Sequence, residues 1–516
     1  MPETLFQSIK QKISPAQKTC FITAIVVGLL AHFYKITNWI PNWDSLVFRY
    51  DSQNMTALGR WFLPVVCSFS SFFDLPFVNG MLAILFHSLG AVVICKMFDI
   101  RKNITAGLIG SCVVSFPTVV SVMMYTYVAD GYSIAFFLSC LSAYYMTKEK
   151  PNWILGIVCI TLSAGIYQAY LTVTILLLLL HLTDGLVFGN KEVFKTVKSG
   201  LGMLICGVSG MVLYYGILTG ILTLTHTKLL EYQGMNSAGS LAGLDILGSL
   251  YTIKETFVTY FFDFSDGISL FCVWNVLIFA LMAVFYLRYI IKNKIYTSPG
   301  KLLLLICLGV FLILGGGILA FLNATIDYHN LMLMGYVVFY LFFLLLYERG
   351  EETKPVFWVG KCWMVLLTAL VLIANQTVLA NVSYHKAQMA YETSYGTLIR
   401  LSDRIEQTPD AEGCSRILVV GALDNSQDYS VNFPPDMTGI TDGYILRADD
   451  ETVGQSVLCS AINDYCGKNY VFLSGEEKQA FLQKQEVTSM NSWPHRDSVR
   501  VVEDIIVVKL SEEAQK

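Results

Sequence analysis

Charge is what this chain has least of. Only 14% of its 516 residues are Asp, Glu, Lys or Arg, against about 25% in ordinary soluble proteins. The shortage falls in long uncharged runs, which excludes a conventional soluble domain over most of the length. The chain also lacks any basic run or alternation of basic and aromatic residues, so no nucleic-acid partner is expected. It has no P-loop, no G-x-G-x-x-G after a strand, no H-E-x-x-H and no G-x-S-x-G. The usual signatures of nucleotide binding, zinc peptidases and serine hydrolases are therefore missing. No internal repeat is visible, so an inverted-repeat transporter gains no support. Thirteen cysteines are present without a C-x-x-C pair, and most sit inside apolar runs, where a thiol acts as a small packing group. In the polar tail, Cys459 and Cys466 could form one disulfide.

What is there is hydrophobic: 54% of residues, with a mean hydropathy of +0.55, the composition of an integral membrane protein. Eleven apolar spans can be drawn, roughly at 19–38, 77–97, 104–127, 132–146, 153–168, 170–188, 200–224, 268–290, 302–322, 331–347 and 357–380. Lysine and arginine set their orientation. With the N-terminus in the cytoplasm, the inner loops hold seventeen of these cations, while the outer loops before the tail hold Arg49, Arg60, Lys228 and Lys254, with Lys35 at a span end. The first run, Cys20 to Tyr34, follows Lys10, Lys12 and Lys18 without a convincing cleavage site, and is read as a retained anchor. The expectation is a multi-pass protein of the cell (plasma) membrane. Two outer loops are long. Residues 39–76 include an amphipathic stretch from Gly59 to Phe73, expected to lie along the membrane surface, and residues 225–267 include a second interfacial element, a helix pair from Leu241 to Phe262.

After Ala380 the composition turns polar. Residues 1–380 read as a transmembrane catalytic domain and residues 381–516 as a small extracytoplasmic α/β domain. A helix is expected over 384–408 and another from Glu476 to Gln485. Strands are expected at Arg416 to Gly421, Tyr470 to Leu473 and Val501 to Leu510.

The residues suited to chemistry gather in the outer connections. Asp44, in Trp43-Asp44 just beyond the first span, could take a proton from an acceptor hydroxyl if its surroundings raise its basicity; its alternative is a helix cap. Asp130 lies in a hairpin too short to carry a carboxylate far from the membrane, where an unpaired charge is costly. It reads as a second acidic group facing Asp44, or as the cap of the fourth span. Arg60, in Gly59-Arg60-Trp61, can bind phosphate through two parallel hydrogen bonds, with Arg49 as a weaker candidate. Trp43, Trp61, Tyr132, Tyr167, Gln168 and His329 offer ring faces and hydrogen-bonding groups suited to a sugar or an acceptor. An aromatic belt or a plain turn is the alternative for these. No metal ligand set stands out. With no nucleotide site and the charged loops facing outward, a sugar donor would be lipid-linked.

The order of these motifs resembles the bacterial type II glucosyl transferase family, polytopic glycosyltransferases of the GT-C class that modify O-antigen and related surface polymers. The resemblance rests on Asn42-Trp43-Asp44 after the first span, Gly59-Arg60-Trp61 before the second, the Tyr127 to Tyr132 hairpin with Asp130-Gly131, and Tyr167-Gln168. It covers roughly residues 15–400. It implies a GT-C-like fold and a polyprenyl-phosphate-linked sugar donor, often glucose. It also implies a glycan or lipid-linked polymer as acceptor, and inverting transfer on the outer membrane face. By position, Asp44 and Asp130 match the acidic residues of the first and second outer loops, and Arg60 the arginine of the G-R-W motif. Many relatives of this class carry adjacent acidic residues in the first loop, whereas Asp44 is followed by Ser45. The base is therefore not fixed by the match, and no cofactor is committed, with a divalent metal left open. The competing function is a flippase or transporter of a lipid-linked saccharide, but nearly all ionisable residues gather at span ends rather than through the membrane depth.

Overall fold

The computed structural model describes residues 13–47, 55–230, 245–264, 270–350, 355–421, 423 and 453–512. They fall into two compact units. The first holds residues up to 38 and from 55 to 382; the second holds 39–47 and the described residues from 383 onward.

The first unit is helical. Among the described residues, seven helices are long and apolar enough to cross a membrane, or eight when the bent pair Asn103–Ser115 and Pro117–Met124 is taken as one span. Two shorter apolar helices, Trp153–Ile166 and Met334–Glu348, accompany them. This is the build of a multi-pass membrane protein. The helix Ala129–Thr147 lies over the expected fourth span but is not among those seven. Its serines and tyrosines lower its hydropathy, and most of its residues are buried. The bend between Ser115 and Pro117 has a local cause. Pro117 has no N–H to donate, and Phe116, held at φ −57° and ψ 135°, leaves the helical region, as residues before proline do. Asn330 reaches the break from a distant turn, donating to Pro117 O at 3.2 Å and Ser121 Oγ at 2.8 Å. Helices approach closely through small residues: a Cβ at Gly110 would lie 2.4 Å from the Cys20 carbonyl oxygen.

The expected surface stretch from Gly59 to Phe73 is not one helix. It is a turn followed by the five-residue helix Leu63–Cys67 and the 3₁₀ turn Ser68–Ser70. Pro64 fits the first turn of that helix, and the left-handed backbone of Ser71 and Phe72 ends it. Of the second expected interfacial segment, the described part is the helix Ile246–Phe262.

The second unit contains a four-stranded sheet. Its strands are β1 (Arg416–Val420), β2 (Val471–Phe472), β3 (Val499–Val502) and β4 (Ile505–Lys509), in the order β2-β1-β4-β3. β1 runs parallel to β2 and β4, while β3 and β4 are antiparallel, joined through Glu503 and Asp504. Ile417 and Val419 face one core with Ile506, Val508, Leu398, Leu401 and the helix Val453–Cys466. Leu418 and Val420 face the other, with Phe481, Leu482 and Met490. Burial on both faces explains why β1 is almost entirely apolar rather than alternating. The long helix Pro355–Glu406 contributes Leu398, Leu401 and Ile405 to the first of these cores. Cys459 and Cys466 are free thiols rather than a disulfide.

Candidate functional site

Three segments of the first unit converge beside the start of the Leu171–Val187 helix: the turn over residues 55–62, the start of the Ala129–Thr147 helix, and the connection over 165–170. The turn closes because Gly59 takes φ 79°, a conformation that costs glycine little. Arg60 N–H then donates to Met55 O at 2.8 Å. The turn is stitched to its surroundings. Phe62 N–H donates to Gly165 O at 2.8 Å, and Gly165 leaves room for the Trp61 ring, which would lie 2.8 Å from a Cβ there. Tyr214 donates its hydroxyl to Gly59 O at 3.0 Å. Gln168 Nε2 donates to that same hydroxyl at 2.8 Å and to Leu58 O at 3.3 Å.

This frame presents Arg60 to a group of tyrosines. Its guanidinium lies 4.7 Å from the centre of the Tyr167 ring, and Nη1 donates to the Tyr132 hydroxyl at 3.1 Å. Tyr132 and Tyr167 stack at 4.9 Å and 27°. Tyr170 meets Tyr167 edge-on at 6.0 Å. Among the described residues, the Tyr170 hydroxyl and the Trp61 indole N–H have no hydrogen-bond partner. A guanidinium seated on a ring face and a phenol is held in a set orientation, and its fork geometry suits a phosphate.

Asp130 is close by in sequence but faces elsewhere. It is 1% exposed. The Cys67 thiol donates to Oδ1 at 3.9 Å, and the Ser70 side chain and the Gly131 N–H also hydrogen-bond to the carboxylate. Burial pushes its pKa up to about 6, opposed by those hydrogen bonds. Gly131 has no space for a Cβ, which would come 2.7 Å from Cys67 Sγ. The hairpin is thus packed tightly onto the Leu63–Cys67 helix.

Asp44 belongs to the second unit. It lies half-buried in the first turn of the short helix Trp43–Val47, and Asn42 Oδ1 accepts from its N–H at 2.9 Å. Ser45 Oγ donates to Asn42 O at 2.8 Å. Leu46 anchors this helix in the core formed with Val457, Leu458 and Ala461. Arg49 and the side chain of Trp43 lie outside the described residues. His329 sits at a tight turn beside Tyr125, ring centres 6.1 Å apart, and burial holds its pKa below the ordinary imidazole value. Its neighbour Tyr328 is a tie, donating to Gly317 O at 2.6 Å and accepting from Ala320 N–H at 2.9 Å.

The structure therefore brings Arg60, Trp61, Tyr132, Tyr167 and Gln168 into one neighbourhood. Within it, the Gln168 amide nitrogen is used to hold the turn. Tyr214, Cys67, Ser70 and Gly165 were not singled out from the sequence. Only Tyr214 had a visible signal, as part of the pair Tyr214-Tyr215 inside an otherwise aliphatic run.

Comparison with known proteins gives one family. The family model described as Glucosyl transferase GtrII matches residues 33–359. No curated protein and no solved structure matches.

Proposed function

The chain belongs to the glucosyl transferase GtrII family, and on that premise we propose that it moves glucose from a polyprenyl-phosphate donor to a cell-envelope glycan on the non-cytoplasmic face of the plasma membrane. In this reading the spans are odd in number, eleven by hydropathy, so the termini lie on opposite sides; the asymmetry of lysine and arginine supports a cytoplasmic N-terminus, with residues 381–516 outside.

The observation that carries this reading is the seating of Arg60 between Tyr132 and Tyr167. It unites the G-R-W, D-G-Y and Y-Q motifs in one place. The donor's lipid tail stays in the bilayer, and its phosphate reaches Arg60 at headgroup level. As the bond from the anomeric carbon to the phosphate oxygen breaks, the electron pair goes to the phosphate, and the guanidinium stabilises the growing charge. The anomeric carbon acquires oxocarbenium character. An acceptor hydroxyl forms the new bond from the opposite face, inverting the configuration, and its proton passes to a carboxylate. Asp44 is assigned that proton by its place in the N-W-D motif. Asp130 enters as a support that packs the hairpin carrying Tyr132, because its carboxylate is turned into the protein. Phosphate is a good leaving group, so no strong general acid is required.

The test uses purified protein in lipid nanodiscs, polyprenyl-phosphate [14C]glucose and envelope glycan. Label should move to the glycan. Asp44→Asn should abolish transfer with the protein still folded; near-normal activity would remove Asp44 from the mechanism. Transbilayer movement of the donor without bond exchange would replace the transferase by a flippase.

A further inference from the structure

The second unit carries an aromatic cluster that the reaction described above does not use. Trp39 meets Tyr391 at 6.3 Å and Tyr465 at 5.8 Å between ring centres. Tyr395 stacks on Tyr391 at 6.0 Å and meets Tyr465 edge-on at 5.8 Å. These rings do not form a closed core. Trp39 remains 36% exposed and Tyr395 38% exposed.

Membrane proteins often place tryptophan and tyrosine at headgroup depth, but the long helix argues against that use here. Its apolar run ends near Ala380, after which Asn381, Ser383, His385 and Lys386 follow. Tyr391 is eleven residues further on, about 16 Å at 1.5 Å per residue. The headgroup layer is roughly 5–8 Å deep on each side. Measured along this one helix, Tyr391 and Tyr395 lie further past the apolar run than that layer is deep.

The same cluster is tied to the candidate base. Tyr465 lies on the helix Val453–Cys466, and the short helix bearing Asp44 packs against that helix through Leu46. Trp39 is five residues before Asp44, a span of at most about 17–18 Å even when fully extended. That is the length of a few sugar units.

We propose that Trp39, Tyr391, Tyr395 and Tyr465 form the subsite for the acceptor saccharide. The rings stack on sugar C–H faces, and the phenols and the indole edge address its hydroxyls. This rests on the transferase reading in one respect: the occupant is the chain that receives the glucose, held near Asp44 by the units adjoining the reacting sugar.

The test compares Trp39→Ala and Tyr395→Ala with the unsubstituted protein, full length and in nanodiscs. Each should raise the acceptor KM about 10-fold, the scale of one lost stacking contact, and leave the donor KM unchanged. A neutral glucose tetrasaccharide should quench tryptophan emission of the unsubstituted protein and of neither variant. Tyr395→Ala alters no strand or core residue, so it serves if Trp39→Ala fails to fold. Unchanged acceptor KM and unchanged tetrasaccharide binding would overturn the subsite. So would variants that change only retention in the bilayer, which would make the rings an anchor. If Asp44→Asn abolishes transfer while the ring variants change nothing, the subsite falls and the reaction stands. If the ring variants lose saccharide binding while Asp44→Asn still transfers, the subsite stands and the base assignment falls.

Discussion

Two arginines mark the two ends of the Leu171–Val187 helix, and they sit in different surroundings. Arg349 meets Asp184, in the last turn, with Nε on Oδ1 at 2.8 Å and Nη2 on Oδ2 at 2.9 Å, and Nη2 also donates to Phe98 O at 2.7 Å. Beside it, Glu348 caps the Asn103–Ser115 helix, accepting from Arg101 N–H at 2.9 Å, Lys102 N–H at 3.2 Å and Thr105 Oγ1 at 2.6 Å. Charges at this end are answered by opposite charges or by helix-end dipoles. At the other end, about 20 Å away at 1.5 Å per residue, Arg60 rests on the Tyr167 ring and the Tyr132 hydroxyl. Those two contacts, a ring face and a phenol, orient the guanidinium. The first arrangement is a two-bond ion pair that ties helices together, and the second sets a guanidinium among the tyrosines of the family motifs, where its fork suits a phosphate.

The largest effect that would sharpen this contrast is the loss of the Arg60 head. Arg60→Ala should lower kcat/KM for the lipid-linked donor on the order of 100- to 1,000-fold, the scale of removing one charge-stabilising donor. Its unfolding temperature should stay close to that of the unsubstituted protein. The donor-saturation curve and a thermal melt of the same sample check both halves. A variant that transfers normally would break the comparison at its functional end.

Arg349→Ala should do the reverse. It leaves Asp184 without its partner in a pair whose side chains are 23% and 13% exposed. The cost should be about 2–3 kcal/mol, below the 3–5 kcal/mol of a fully buried pair because solvent still screens it. The folded fraction should retain kcat/KM. Chemical denaturation with activity corrected for folded protein separates the two. Lost catalysis at full stability would show that the paired end also serves the reaction.

Sequence reading reached the two ends unequally. The helical runs were legible because apolar length marks a span, and the strand at Arg416 was marked by its β-branched run; the single strand expected from Val501 to Leu510 is instead the hairpin of β3 and β4, turning at Glu503 and Asp504. Family membership was legible because motif order survives when each motif is short. The internal wiring of the site was not. Nothing in a one-dimensional pattern says that Tyr214, on a helix more than 150 residues after Gly59, would close the Gly59 turn. Gln168 illustrates the same limit, since its residue type suits a sugar while its amide is spent on Leu58 and Tyr214. The amphipathic pattern from Gly59 to Phe73 did not show that the stretch is broken into a turn, a five-residue helix and a 3₁₀ turn that ends in left-handed backbone at Ser71 and Phe72. Asp130 was legible as a costly carboxylate, but not the direction in which it points.

That last residue gives the smallest and most diagnostic test, because it lies between the two kinds of end. Burial raises the Asp130 pKa from 3.8 to about 6, so the folded state holds its proton more tightly than the unfolded chain does. The neutral carboxyl therefore favours folding below pH 4. That advantage fades as pH rises through about 6, where the folded protein must carry the buried charge. Asp130→Asn keeps the shape without that charge. It should match the unsubstituted protein at pH 4 and be more stable at pH 7.5, by on the order of 1–2 kcal/mol once its lost hydrogen bonds are set against 1.36 kcal/mol per pKa unit. Melts of both proteins at the two pH values measure the difference. A support role for Asp130 predicts that stability responds to pH while transfer falls only a few-fold. Complete loss of transfer with no change in the pH dependence of stability would instead make this carboxylate a participant in the chemistry.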